Sequence, residues 1–109
     1  MKILSWILKN IDKALPARRV KIIEGDTPPK NLPFRDIVLA REGNEDWAAG
    51  FKCPCGCGKK LEVLLIKEVK PNWSLKIDEY NRPTLHPSVW LKTGCKSHFW
   101  MKKGKIIWC

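Results

Sequence analysis

Five cysteines and two histidines constrain this chain more than any other feature. All seven lie between residues 53 and 109, and most fall in two clusters. One cluster is Cys53-Pro54-Cys55-Gly56-Cys57-Gly58; the other is Cys95-Lys96-Ser97-His98. Cys109 and His86 stand apart. Thiolates and imidazoles bind zinc when four of them converge from two separate places in a chain. The Gly/Pro loop supplies one place, because Gly56 and Gly58 permit the tight backbone path such a loop needs. The Cys-x-x-His pair supplies the other. The candidate ligands are therefore Cys53, Cys55, Cys57, Cys95, His98 and, last in order, Cys109, competing for four positions around Zn2+. The spacing within the first cluster is one residue rather than the usual two, so this is not the common two-pair pattern. The competing reading is buried free cysteines and a satisfied histidine.

At 109 residues the chain fits one domain with a modest core, which a metal staple would reinforce. Hydrophobic residues at 44% and charged residues at 29% describe a globular chain and exclude a disordered one. No secretory leader is evident in Ile3 to Leu8, a run too short for one or for a membrane span. The expected location is cytoplasmic, where clustered cysteines serve as metal ligands more often than as disulfides.

Net charge is +10 and unevenly placed. Residues 1–52 carry ten Lys/Arg against seven Asp/Glu, and residues 53–109 carry eleven against four. A basic surface favours nucleic acid, anionic lipid or an acidic protein without choosing among them. Lys59, Lys60, Lys92, Lys96, Lys102, Lys103 and Lys105, interleaved with Trp90, Trp100 and Trp108, suit a nucleic-acid track. They suit equally a solvated lysine face over core tryptophans, which the alternation in Phe99-Trp100-Met101-Lys102 favours.

Apolar residues in 2–15 (Ile3, Ile7, Ile11 with Leu4, Leu8, Leu15) recur at three- and four-residue steps, which predicts an amphipathic helix ended by Pro16. Beyond it the pattern is of short strands: Arg19–Glu24, Arg35–Arg41, Trp47–Lys52, Lys60–Lys67, Trp73–Asp78, Thr84–Leu91 broken by Pro87, and a closing hairpin of His98–Lys102 and Lys105–Trp108 around Lys103-Gly104. Pro28, Pro29 and Pro33 make residues 25–33 a loop. The expected fold is mainly β (α+β): a small antiparallel β domain with a zinc-knuckle-like loop and an N-terminal helix. Residues 1–45 read as a helix and strand/loop extension, and residues 46–109 as the zinc-binding β core.

The strings Phe51-Lys52-Cys53-Pro54-Cys55-Gly56-Cys57-Gly58, Trp73-Ser74-Leu75, Thr84-Leu85-His86-Pro87-Ser88-Val89, Cys95-Lys96-Ser97-His98-Phe99-Trp100 and Gly104-Lys105-Ile106-Ile107-Trp108, in this order, resemble the domain-of-unknown-function family 6527. The resemblance spans residues 35–109; Cys109 and the helix fall outside its pattern. It implies a bacterial protein of a ubiquitin-like pathway, with a ubiquitin-like protein or its conjugates as partner, E1- and E2-like proteins as neighbours, and peptidase activity on the modifier. It also puts Ser88 and His98 in motif positions, so a Ser88 nucleophile with a His98 base is the sharpest expectation. Ser97, Cys95 or a cysteine spared by the metal are other nucleophiles. A His98 bound to zinc cannot serve as base. An open-sited metallopeptidase would then need a carboxylate, Glu62 being nearest in sequence. The alternative class is a non-catalytic zinc-stapled module that binds a protein or nucleic acid.

Overall fold

The structure, a computed structural model, describes residues 2–109, the side chains of residues 2–5 and 8 excepted. The side chains of Ile3, Leu4 and Leu8 in the expected helical stripe therefore lie outside what is described. One helix, α1 (Lys2–Ala14), precedes eight strands: β1 (Val20–Glu24), β2 (Ile37–Glu42), β3 (Glu45–Lys52), β4 (Lys60–Leu64), β5 (Ser74–Ile77), β6 (Pro83–Trp90), β7 (His98–Lys102) and β8 (Lys105–Trp108). The protein is mainly β, as its alternating patterns require. No described helix is long and apolar enough to cross a membrane.

The strands form two four-stranded sheets in sequence order, β1 to β4 and β5 to β8. Five of the six pairings are antiparallel. The exception is β1 with β2, parallel from Val20 opposite Ile37 to Glu24 opposite Arg41. A parallel pair needs a long return connection, and the proline-bearing segment between Glu24 and Ile37 provides it. That segment folds over β3 so closely that a Cβ on Gly50 would meet the Pro28 Cβ at 2.7 Å. Only glycine leaves room for it. β2 and β3 form a hairpin whose second strand starts at Glu45, so the expected division at residues 45 and 46 falls at the head of β3.

Strand alternation buries one face of each sheet against the other. Ile37, Leu39, Ala49, Phe51, Leu61 and Val63 meet Leu85, Val89, Phe99, Met101 and Ile106 in a single cluster, joined by Cys53 and Cys55. Phe51 and Phe99 touch edge to face across it, 6.3 Å between centroids. Each fully buried phenylalanine stabilises the fold by about 2–3 kcal/mol.

The helix is held at its C-terminal end by charge. Asp12 accepts hydrogen bonds from Arg18 (2.6 and 3.0 Å) and from Arg35 (2.9 Å). Lys105 Nζ donates to the Leu15 carbonyl, and Lys9 Nζ lies 4.1 Å from the Trp108 ring centroid. Burial pushes the Asp12 carboxyl up, but the two guanidinium partners outweigh it and hold it below its ordinary value. Trp6, Ile7 and Ile11 remain exposed on this helix.

Candidate functional site

β3 and β4 diverge at Lys52 and Lys60 into the cysteine loop. Cys53 N–H donates to the Lys59 carbonyl (2.8 Å) and Gly56 N–H to the Cys53 carbonyl (3.2 Å). Gly56 and Gly58 take φ of 89° and 84°, the left-handed region that side chains resist. The loop thereby turns three thiols toward one point. Cys95 comes to the same point from the segment between β6 and β7. The sulfurs of Cys53, Cys55, Cys57 and Cys95 all lie within 4.8 Å of one another, with Cys53 Sγ 3.4 Å from Cys55 Sγ and 3.7 Å from Cys95 Sγ. Four sulfurs each about 2.3 Å from a tetrahedral zinc stand about 3.8 Å apart. The donor set and its spacing thus fit a metal ion of zinc's kind, and the group is complete without His98. Cys109 is exposed and outside it.

Ser97 supports this cluster. Its Oγ lies 3.1 Å from Cys95 Sγ and 3.7 Å from Cys53 Sγ, and the side chain is buried. Burial alone would raise the Cys95 thiol. The Ser97 hydroxyl and backbone N–H, followed by the neighbouring thiols, outweigh burial and bring it down to about 6. Burial pushes the Cys53 and Cys57 thiols up. Cys95 is thus the thiol that ionises most readily, while Cys53 and Cys57 hold their protons; a metal bound here would displace them.

The residue after Ser97 is His98, first of β7. Its Nε2 lies 3.0 Å from Ser88 Oγ. Ser88 reaches this position through an irregularity in β6. The register with β7 shifts between Leu85, opposite Met101, and Val89, opposite Phe99. Trp73 Nε1 donates to the Ser88 carbonyl at 3.3 Å, and Ser74 Oγ to the His86 carbonyl at 3.5 Å, which holds the irregular stretch from the β5 side. The His98 ring stacks on Trp90, its cross-strand partner, with centroids 4.8 Å apart and planes 10° from parallel. Both Ser88 and His98 are partly accessible.

The other expected candidates are placed as follows. His86 is exposed on β6, its ring 5.9 Å from Trp100. Glu62 is exposed on β4, opposite Gly50, and is not one of the clustered ligands. Ser97, weighed as a nucleophile, faces the thiols. Sequence reasoning missed the Trp90–His98 stack. Its only signal was that both residues lie on expected strands, and the register that pairs them follows the irregularity between Leu85 and Val89.

Fold and site together define a small two-sheet β protein with a four-cysteine cluster suited to a metal and a serine–histidine pair on the adjoining sheet. The chain belongs to the BubE family, described as the bacterial ubiquitination-like system serine protease, which matches residues 24–109. This match supports the association with a bacterial ubiquitin-like system that the motif order implied, under a different label from family 6527. Comparison with curated proteins and with solved structures returns no match.

Proposed function

We propose that this protein is a serine peptidase that cleaves a ubiquitin-like protein from an extension or a conjugate, with Ser88 as nucleophile and His98 as general base. The observation that carries this is the 3.0 Å contact between Ser88 Oγ and His98 Nε2 in a chain of a family described as a serine protease. A nucleophile and base within hydrogen-bond reach are the first requirement for acyl transfer. Ser88 Oγ attacks the scissile carbonyl carbon while His98 Nε2 takes the hydroxyl proton. The tetrahedral intermediate collapses, His98 gives that proton to the leaving amine, and Ser88 is left as an ester. Water, deprotonated by His98, then hydrolyses the ester and frees the modifier's carboxylate and Ser88.

Among the described residues no carboxylate is hydrogen-bonded to His98, so the pair works as a dyad whose ring is oriented by Trp90. In this reading Cys53, Cys55, Cys57 and Cys95 would hold zinc as a structural ion with no open position for substrate, tying the cysteine loop to the segment that leads to His98. E1- and E2-like proteins are partners through the same pathway.

The test uses purified protein and its cognate modifier extended past the C-terminus. The expected result is cleavage after the modifier's last residue, lost about a thousandfold or more in Ser88→Ala and in His98→Ala while both variants stay folded. Cleavage retained in both variants would sink the assignment. Absence of cleavage by the parent protein, with ligand binding kept, would favour a non-catalytic binding module.

A further inference from the structure

The second sheet is chemically unlike the first. Its four strands, Ser74–Ile77, Pro83–Trp90, His98–Lys102 and Lys105–Trp108, contain no Asp or Glu. Every strand of the first sheet contains at least one. One face of the second sheet is spent on the core, where Leu85, Val89, Phe99, Met101 and Ile106 are buried. The opposite face carries Trp90, Trp100 and Ile107, with Lys102 on β7 beside Trp100, Lys76 on β5 and Lys92 just beyond β6. Trp90 is 56% and Ile107 47% exposed. Lys92 Nζ lies 2.9 Å from the Trp90 ring centroid, and Lys102 Nζ 5.2 Å from that of Trp100. The four ion pairs among the described residues all belong to arginines, so among those residues none of these three lysines has a carboxylate partner. Ser88 and His98 lie on the two central strands of this face, Ser88 near the end of β6 and His98 at the start of β7.

We infer that this outward face is the substrate-docking surface, and that it takes an extended protein segment with carboxylate side chains set beside apolar ones. This rests on the reading of Ser88 and His98 as the acyl-transfer pair. Apolar side chains of the segment lie against Ile107 and the parts of Trp90 and Trp100 that their His and Lys neighbours leave uncovered, and its carboxylates meet the lysines at the margins. Desolvated aromatic area supplies contact, and complementary charge supplies register and a faster encounter. A single strand of nucleic acid also seeks lysines and aromatics, but it binds by stacking bases on open ring faces. Here His98 stacks on Trp90 and Lys92 sits over it, while Trp100 carries His86 and Lys102. The rings are engaged, which favours the peptide.

Binding is measured on Ser88→Ala protein, so that turnover does not interfere, by anisotropy of three labelled probes. These are an extended peptide alternating Glu with Leu or Phe, the same peptide with Gln for Glu, and oligo-dT of equal length. The acidic peptide is expected to bind about tenfold or more tighter than its amide counterpart at low salt, with the gap closing as salt rises. Lys92→Glu with Lys102→Glu abolishes the preference. Lys21→Glu with Lys30→Glu, the same charge change made outside the second sheet, leaves it in place. Equal or absent binding of the two peptides overturns the inference, as does tighter binding of the oligonucleotide. Acidic-peptide binding without modifier cleavage by the parent protein removes the peptidase reading and leaves the surface. Modifier cleavage whose KM is unmoved by the Lys92/Lys102 reversal does the opposite.

Discussion

A general base works only while its lone pair stays aimed at the proton it takes. In the proposed peptidase His98 is that base, and the Trp90 ring lies 10° from parallel with its imidazole. An indole face limits rotation of the imidazole by contact area rather than by a directed hydrogen bond. Trp90→Ala is therefore expected to lower kcat by about ten- to a hundredfold with the melting temperature little changed, because the residue is more than half exposed. Trp90→Phe, which keeps a stacking face, should recover most of the loss. An unchanged kcat in Trp90→Ala would show that the ring is oriented by something else.

Among the elements, the cysteine loop and the helix are both expected to weaken as pH falls, for different reasons. The metal should be bound at one ion per chain. Cys57→Ser is expected to lose it and to lower the unfolding midpoint, and Cys109→Ser to keep it, as read by elemental analysis and thermal unfolding. A Cys109→Ser protein that loses its metal would overturn the ligand set. The Cys53 and Cys57 thiols are raised by burial, so binding must displace their protons and affinity should fall as pH falls. At the helix, the Asp12 carboxyl is lowered in the folded protein. A depressed folded value means the contribution is full above the unfolded value of about 3.9 and is lost as pH falls through the folded one. Asp12→Asn leaves Arg18, only 5% exposed, without its anion. The expected cost at neutral pH is about 2–3 kcal/mol by denaturant titration, with a smaller acid-side loss below about pH 4 than in the parent. Equal stability at neutral pH would mean that the ion pair contributes nothing net.

For the molecule as a whole, the two sheets share one core, and the Phe51–Phe99 contact joins them. They should unfold together. Far-UV circular dichroism and tryptophan fluorescence are expected to report one coincident transition. Phe99→Ala, at a residue with no exposed surface, should cost about 3–5 kcal/mol. Two separated transitions would mean that the sheets are independent units.

Local pattern determined the helix, the strands and the closing hairpin, because alternation and three- to four-residue steps are properties of neighbouring residues. The Thr84–Leu91 segment was expected to break at Pro87; instead β6 runs from Pro83 to Trp90 and absorbs the proline in an irregular stretch. The parallel β1–β2 pair was not legible, since strand direction depends on how a twelve-residue loop returns. At the site, residue type and spacing determined which groups can bind a metal or carry a proton. They left six ligands competing for four places and His98 claimed by two roles. Only the tertiary structure shows which of these groups stand together. Three thiols on one glycine-turned loop and a fourth from a distant segment meet at one point, while the β6 irregularity and its pairing with β7 bring Ser88 to His98 Nε2. Which residues meet is set by register and by the packing of one sheet on another, and neither is a property of any stretch of chain short enough to read alone.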